Sequence, residues 1–152
     1  MEPNSRNIYK TARTVAGLTQ ERWAEAVGVS VDSIHNYEAG TQIPSDEVVR
    51  AMSEISGLSP LSYWHLCHKS ELAADMLPEV RSVPLPQAVC ALVSRVQDFV
   101  LGSPDALLRM AADGRIDEME KTDYARIIGD LDGIVQAALQ LKYAEGGNAD
   151  GP

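Results

Sequence analysis

The 152 residues carry 22 acidic against 13 basic side chains, a net charge of −9, with 45% hydrophobic and 5% aromatic residues. The hydrophobic fraction is ordinary for a soluble chain with cores of its own, and scarce aromatics favour small helical modules over a β-sandwich. No apolar run approaches the roughly 18 residues of a membrane span, and MEPNSRNIYK has no signal-peptide core. Cys67 and Cys90 make no disulfide framework, so the expectation is a cytoplasmic protein with buried thiols.

Asn4 and Ser5 can cap a first helix running to about Ala16, with Ile8, Ala12 and Val15 as its i, i+4, i+7 inner face. Gly17 ends it and Leu18 plugs the corner. From Thr19 to Gly40 the chain reads TQERWAEAVGVSVDSIHNYEAG, two short amphipathic stretches over 20–27 and 31–39 joined at Gly28-Val29-Ser30. Trp23, Ala24, Val27, Val29, Ile34 and Tyr37 fall on one side of each stretch, so the two helices can pack across a tight turn, with Trp23 in the core. Gly28 stops the first, because an αL position after a helix is cheapest for glycine. Thr19 and Ser30 are natural N-caps, and Glu21 lies in a first turn where the helix dipole favours a carboxylate. A helix, a glycine turn and a second capped helix make a helix-turn-helix, which points to DNA.

Gly40 closes that helix, and Thr41-Gln42-Ile43-Pro44 is a short loop. Ser45 caps a fourth helix with Asp46 and Glu47 in its first turn and Val48, Met52 and Ile55 inside. After Gly57, Ser59-Pro60 opens a fifth helix with proline at its N1 position, Leu61, Trp64 and His68 facing inward. Tyr63 and Trp64 read as packing between the two halves of the chain. His65 and His68 share a helix face, but Cys67 projects elsewhere and no second cluster completes a tetrahedron, so this reads as a helix-end polar patch without a metal.

Residues 69–86 form a connector with a short helix in its first half, stiffened by Val83-Pro84-Leu85-Pro86. Residues 87–101 then repeat Val89, Leu92, Val96 and Phe99 at a 3-4-3 spacing, a seam suited to another helix. Gly102-Ser103-Pro104 breaks it, and Ser103 caps a shorter helix of Leu107, Leu108 and Ala111. The longest helix spans 117–143, with Tyr124, Ile127, Ile128, Leu131, Ile134, Val135, Ala138 and Leu141 as its apolar positions. Residues 113–120 have the aspartate, glycine, isoleucine and glutamate of the second half of a calcium loop. Arg109 and Ala111 stand where that loop needs oxygen ligands, so an Asp-Gly turn between helices is expected instead. Residues 146–152 read as a polar, flexible tail.

Five short helices around LTQERWAEAVGVSVDSIHNYEAGTQIPS resemble the lambda-repressor-like (Cro-type) helix-turn-helix family. The residues in register are Arg13, Leu18-Thr19-Gln20, Ala24, Gly28, Ile34, Glu38, Gly40 and Pro44, within residues 5–68. The resemblance implies an ion pair of Arg13 with Glu38 that locks the first helix to the end of the third. It implies phosphate contacts from Gln20 at a helix start, Ser30, Ser33, Thr41 and Gln42, and base reading by Val31, Asp32, His35 and Asn36. Asn36 can pair bidentately with adenine, Val31 can pack on a thymine methyl and Asp32 can accept from cytosine, but no arginine or lysine is present for guanine.

The whole is expected to be all-α: the five-helix DNA-binding domain over 5–68, the connector 69–86, a helical dimerisation and interaction domain over 87–145, and the tail. Some 70 residues of helix make a thin core, so pairing with a second copy through Val89, Leu92, Val96, Phe99, Ile127, Leu131, Ile134 and Leu141 is the economical solution. No nucleophile–base set, phosphate loop, cofactor site or metal-ligand set stands out, so an enzyme is not expected. The expected function is a homodimeric transcriptional regulator, a repressor occupying double-stranded operator DNA. Up to His68 there are five basic against eight acidic residues, which weakens the electrostatic footprint. That keeps open an interaction adaptor without DNA binding, or an antitoxin holding a protein partner through its C-terminal helices.

Overall fold

The computed structural model describes residues 7–145, the side chain of Asp113 aside. Asn4, Ser5, Arg6 and the expected tail lie outside the described residues. The described chain is helical, without a strand beyond one isolated bridge, and divides into two units at Ser82 and Val83. No described helix is long and apolar enough to cross a membrane.

The first unit contains α1 (Ile8–Val15), α2 (Gln20–Val27), α3 (Val31–Ala39), α4 (Asp46–Ser56), α5 (Leu61–Lys69) and α6 (Glu71–Met76). Asn7 caps α1, its side chain accepting from the Tyr9 and Lys10 N–H groups. Thr19, Ser30 and Ser45 cap α2, α3 and α4 as the sequence predicts, and Gly28 ends α2 at φ 82°. The core joins Ile8, Tyr9 and Ala12 of α1, Trp23 and Ala24 of α2, Ile34 and Tyr37 of α3, Val49 and Met52 of α4, and Leu61 of α5.

Three inner faces differ from expectation by a small rotation about the helix axis. Tyr9 replaces Val15 inside α1, because its ring reaches Tyr37 and its hydroxyl meets His65; Val15 is 56% exposed. In α4, Val49 with Met52 forms the inner pair and Ile55 turns outward, since the helix must face α1, α2 and α5 together. In α5, His65 goes inside while His68 is exposed. His65 therefore leaves the expected helix-end polar patch, where His68 and Lys69 stay exposed. His65 is buried between the Tyr9 hydroxyl at 2.9 Å and Asp46 at 3.1 Å, and Lys69 completes the row at 2.7 Å from Asp46. Burial of an imidazole is tolerable when both ring nitrogens are hydrogen-bonded.

Residues 69–82 fold with the first unit. Tyr63 donates to the Pro78 carbonyl at 2.6 Å and the Trp64 indole N–H to the Val80 carbonyl at 2.7 Å, which seats Val80 in the interior. The two aromatics thus hold the strap that follows α6.

The second unit contains α7 (Leu85–Gly102), α8 (Pro104–Asp113) and α9 (Lys121–Lys142). α7 and α9 pack along one another antiparallel: Leu85 N–H donates to the Glu145 carbonyl at one end, and Ser103 lies beside Arg126 and Asp130 at the other. Buried Ala88 and Ala137 allow a close approach, and Arg95 lies across Gly133. α8 closes one end through Ala106 and Met110, packed on Ile127, Phe99, Leu107 and Leu131. Asp117 accepts from the Met119 and Glu120 N–H groups, so the acidic turn before α9 is a backbone cap.

The expected dimer residues therefore divide. Ile127 is wholly buried in its own unit with Phe99 and Leu131 against it, so these three are committed within one chain. Leu92, Ile134 and Leu141 are half-buried, while Val89 and Val96 remain on the surface. Val93 and Val100, which the 3-4-3 reading omitted, lie beside them on α7.

Candidate nucleic-acid interface

α3 is fixed on its inner side by Ile34 and Tyr37 and at its start by Ser30, whose hydroxyl accepts from the Ser33 N–H at 3.1 Å. Asn7 of the first cap donates to the Tyr37 carbonyl at 2.6 Å, a tie from α1 to the last turn of α3 that the sequence reading missed. Its signal was available: asparagine stands immediately before the periodic residues of α1, nearer than Asn4 or Ser5.

The outward side of α3 carries Asp32, His35 and Asn36, all exposed, with Val31 half-buried at its start. After Gly40 the chain folds back over the end of α3. The Thr41 and Gln42 N–H groups donate to the Asn36 carbonyl at 3.0 and 3.3 Å, and the Thr41 hydroxyl reaches the Asn36 carbonyl at 3.2 Å and its side-chain oxygen at 3.4 Å. Thr41 and Gln42 are thereby placed beside the outward row of α3 and exposed. Ser30 and Ser33 share a hydroxyl–hydroxyl bond of 2.8 Å at the other end of α3.

Glu38 is the hub behind this face. Its carboxylate accepts from Arg13 Nε at 2.5 Å, Arg13 Nη2 at 3.1 Å and Gln20 Nε2 at 2.9 Å, while Arg13 also donates to the Leu18 carbonyl. The pair is largely enclosed, with side-chain exposures of 16% and 7%. Burial pushes the Glu38 carboxyl up, but the hydrogen bonds and charge of Arg13 and the bond from Gln20 outweigh it, and the net shift is downward. Gln20 is thus turned inward to Glu38, and its amide nitrogen does not point free at the start of α2. Glu21 stands there instead: the backbone N–H and the Thr19 hydroxyl hold its exposed carboxyl below the usual range. A carboxylate at a helix N-terminus occupies the electrostatic place a phosphate would take.

Four of the six described cations of the first unit are paired: Arg13 with Glu38, Arg22 with Glu25, Lys69 with Asp46 and Arg81 with Glu79. Lys10 and Arg50 make no ion pair among the described residues. Two uncommitted cations give little counterion release on DNA.

A helix, a turn at Gly28 and a second helix with an outward polar row, all on one core, match a family model described as a helix-turn-helix domain over residues 10–61. Residues 10–61 are a helix-turn-helix domain. The match runs from α1 to the first residue of α5, in keeping with the lambda-repressor-like resemblance of the same residues. Neither a curated protein nor a solved structure matches the chain.

Proposed function

We propose that the protein is a transcriptional regulator that binds double-stranded operator DNA as a homodimer, with α3 of each copy in the major groove. The observation that carries this is the exposed row Asp32, His35 and Asn36 on a helix held at both ends and along its back within a helix-turn-helix domain. Asn36 reads adenine, and Thr41 and Gln42 lie where they meet backbone phosphate. Dimerisation through the exposed side of the second unit, Val89, Val93, Val96 and Val100 of α7 with Tyr124, Ile128 and Val135 of α9, supplies the twofold that a half-site reader of low affinity needs. Occupation of the operator makes the protein a repressor, acting in the cytoplasm.

A mobility-shift titration on DNA from upstream of the protein's own gene, at low and at physiological salt, tests the reading. With Lys10 and Arg50 uncommitted, log K is expected to fall against log salt with a slope of about −2 per copy. Asn36→Ala should flatten the sequence preference, whereas Glu21→Gln should tighten binding to every fragment by about two- to fivefold. Absence of any shift at low salt removes the DNA reading. It would favour the second one, a protein-interaction module, which the pairing of Arg13, Arg22, Lys69 and Arg81 with internal carboxylates supports.

A further inference from the structure

On the first unit, away from the outward row of α3, residues of α1, α5, α6 and the strap after α6 line a partly open pocket of about 340 Å³. Its walls are Ile8, Tyr63, Trp64, Cys67, His68, Ala74 and residues 77–80. It reaches the lower end of the volumes that hold small ligands.

The strap is not loosely draped over the gap. The Tyr63 and Trp64 side chains fix its backbone at Pro78 and Val80, and Val80 is 1% exposed. Trp64, Ile8, Leu77 and Val80 are among its lining residues, so the pocket favours an apolar body. Burial pushes the Cys67 thiol up, which keeps it protonated and unreactive there. His68 meets Tyr9 edge-on and makes no hydrogen bond among the described residues, which leaves its ring nitrogens for a bound molecule. The Glu79 carboxylate at the rim, paired with Arg81 at 3.2 Å, disfavours an anion.

We infer that this cavity is a binding site for a small, neutral, largely apolar aromatic molecule with one hydroxyl group, hydrogen-bonded by His68 and packed on Trp64. The inference is independent of the DNA reading, since no reading-row residue lines the site. Occupancy stabilises the fold by mass action and fastens the strap that leads to Ser82, the last residue of the first unit.

The test uses the full chain and three probes of one ring each: p-cresol, toluene and benzoate. The protein has two tryptophans, and Trp23 is wholly buried away from the cavity lining, so its indole N–H resonance is an internal control for that of Trp64. Titration with p-cresol should shift the Trp64 resonance saturably, with a Kd of about 1 mM or below, and leave that of Trp23 in place. Toluene should bind about three- to tenfold more weakly than p-cresol, and His68→Ala should abolish that difference. Benzoate should be weaker than both. Ala74→Phe, from α6, and Cys67→Leu, from α5, fill the space from opposite walls, and a variant that remains folded by circular dichroism should lose the shift. A linear shift up to about 10 mM, an equal movement of Trp23, or a saturable shift unchanged in the filled variants overturns the proposal. Preference for benzoate, or a p-cresol preference that survives His68→Ala, overturns the assigned chemistry.

Discussion

The Glu38 carboxylate ties the geometry of the domain to its pH response. It takes three hydrogen bonds from Arg13 and Gln20 and is only 7% exposed. Glu38→Gln keeps the shape but leaves the Arg13 guanidinium enclosed without a counter-charge, which costs about 3 kcal/mol. Because the folded carboxyl lies below its ordinary value of 4.5, its stabilisation is full above that pH and is lost as pH falls through the folded value. Urea midpoints from neutral to acid pH should therefore drop less steeply in Glu38→Gln than in the wild type. At the alkaline end Tyr9 contributes, its burial pushing the hydroxyl from 10.0 up to about 12. A raised acid is held protonated by the fold, so its contribution is intact below about pH 10 and fades between about 10 and 12, up to about 3 kcal/mol. Tyr9→Phe should be less stable at neutral pH, since His65 loses a partner, yet should show a flatter alkaline limb in the same titration.

At the scale of elements, the two glycines inside α9 separate helix propensity from packing. A Cβ at Gly129 would meet nothing within 4 Å, so Gly129→Ala should raise stability by about 0.5–1 kcal/mol. A Cβ at Gly133 would come within 2.3 Å of an Arg95 guanidinium nitrogen. That group is the far end of a flexible chain and can swing aside, but its packing across α7 and α9 is then lost, and Gly133→Ala should gain less. Equal gains in urea midpoint for the two variants would show that Arg95 contributes nothing there. The same scale marks what was legible in the sequence. Capping residues and glycine stops placed α2, α3 and α4 because they act on their own backbone within a turn. Arg13 and Glu38 were legible only because the resemblance supplied their partnership. Gln20 was not, because its rotamer is decided by a carboxylate on another helix, and Tyr9, His65 and Val49 went inside for the same kind of reason, through contacts between elements distant in sequence.

At the scale of the whole molecule the boundary after α5 decides how the chain can be divided. Composition alone places a connector from Lys69, yet residues 78 to 80 are part of the first unit, since Val80 is buried and two aromatic side chains donate to the strap backbone. Removing the strap forfeits two hydrogen bonds of about 1 kcal/mol each and the burial of one valine, and it uncovers Trp64, against which stands the regained freedom of a short segment. A fragment ending at Ser82 should accordingly be more stable than one ending at Lys69 by about 2 kcal/mol, read from urea denaturation. The same fragment separates folding from association. If α7 and α9 carry the dimer contact, the fragment ending at Ser82 sediments as a monomer, stays folded, and loses apparent DNA affinity relative to the full chain by far more than its unchanged reading row accounts for. A folded fragment that still sediments as a dimer would move the twofold into the helix-turn-helix unit and leave the valine side of α7 without that role.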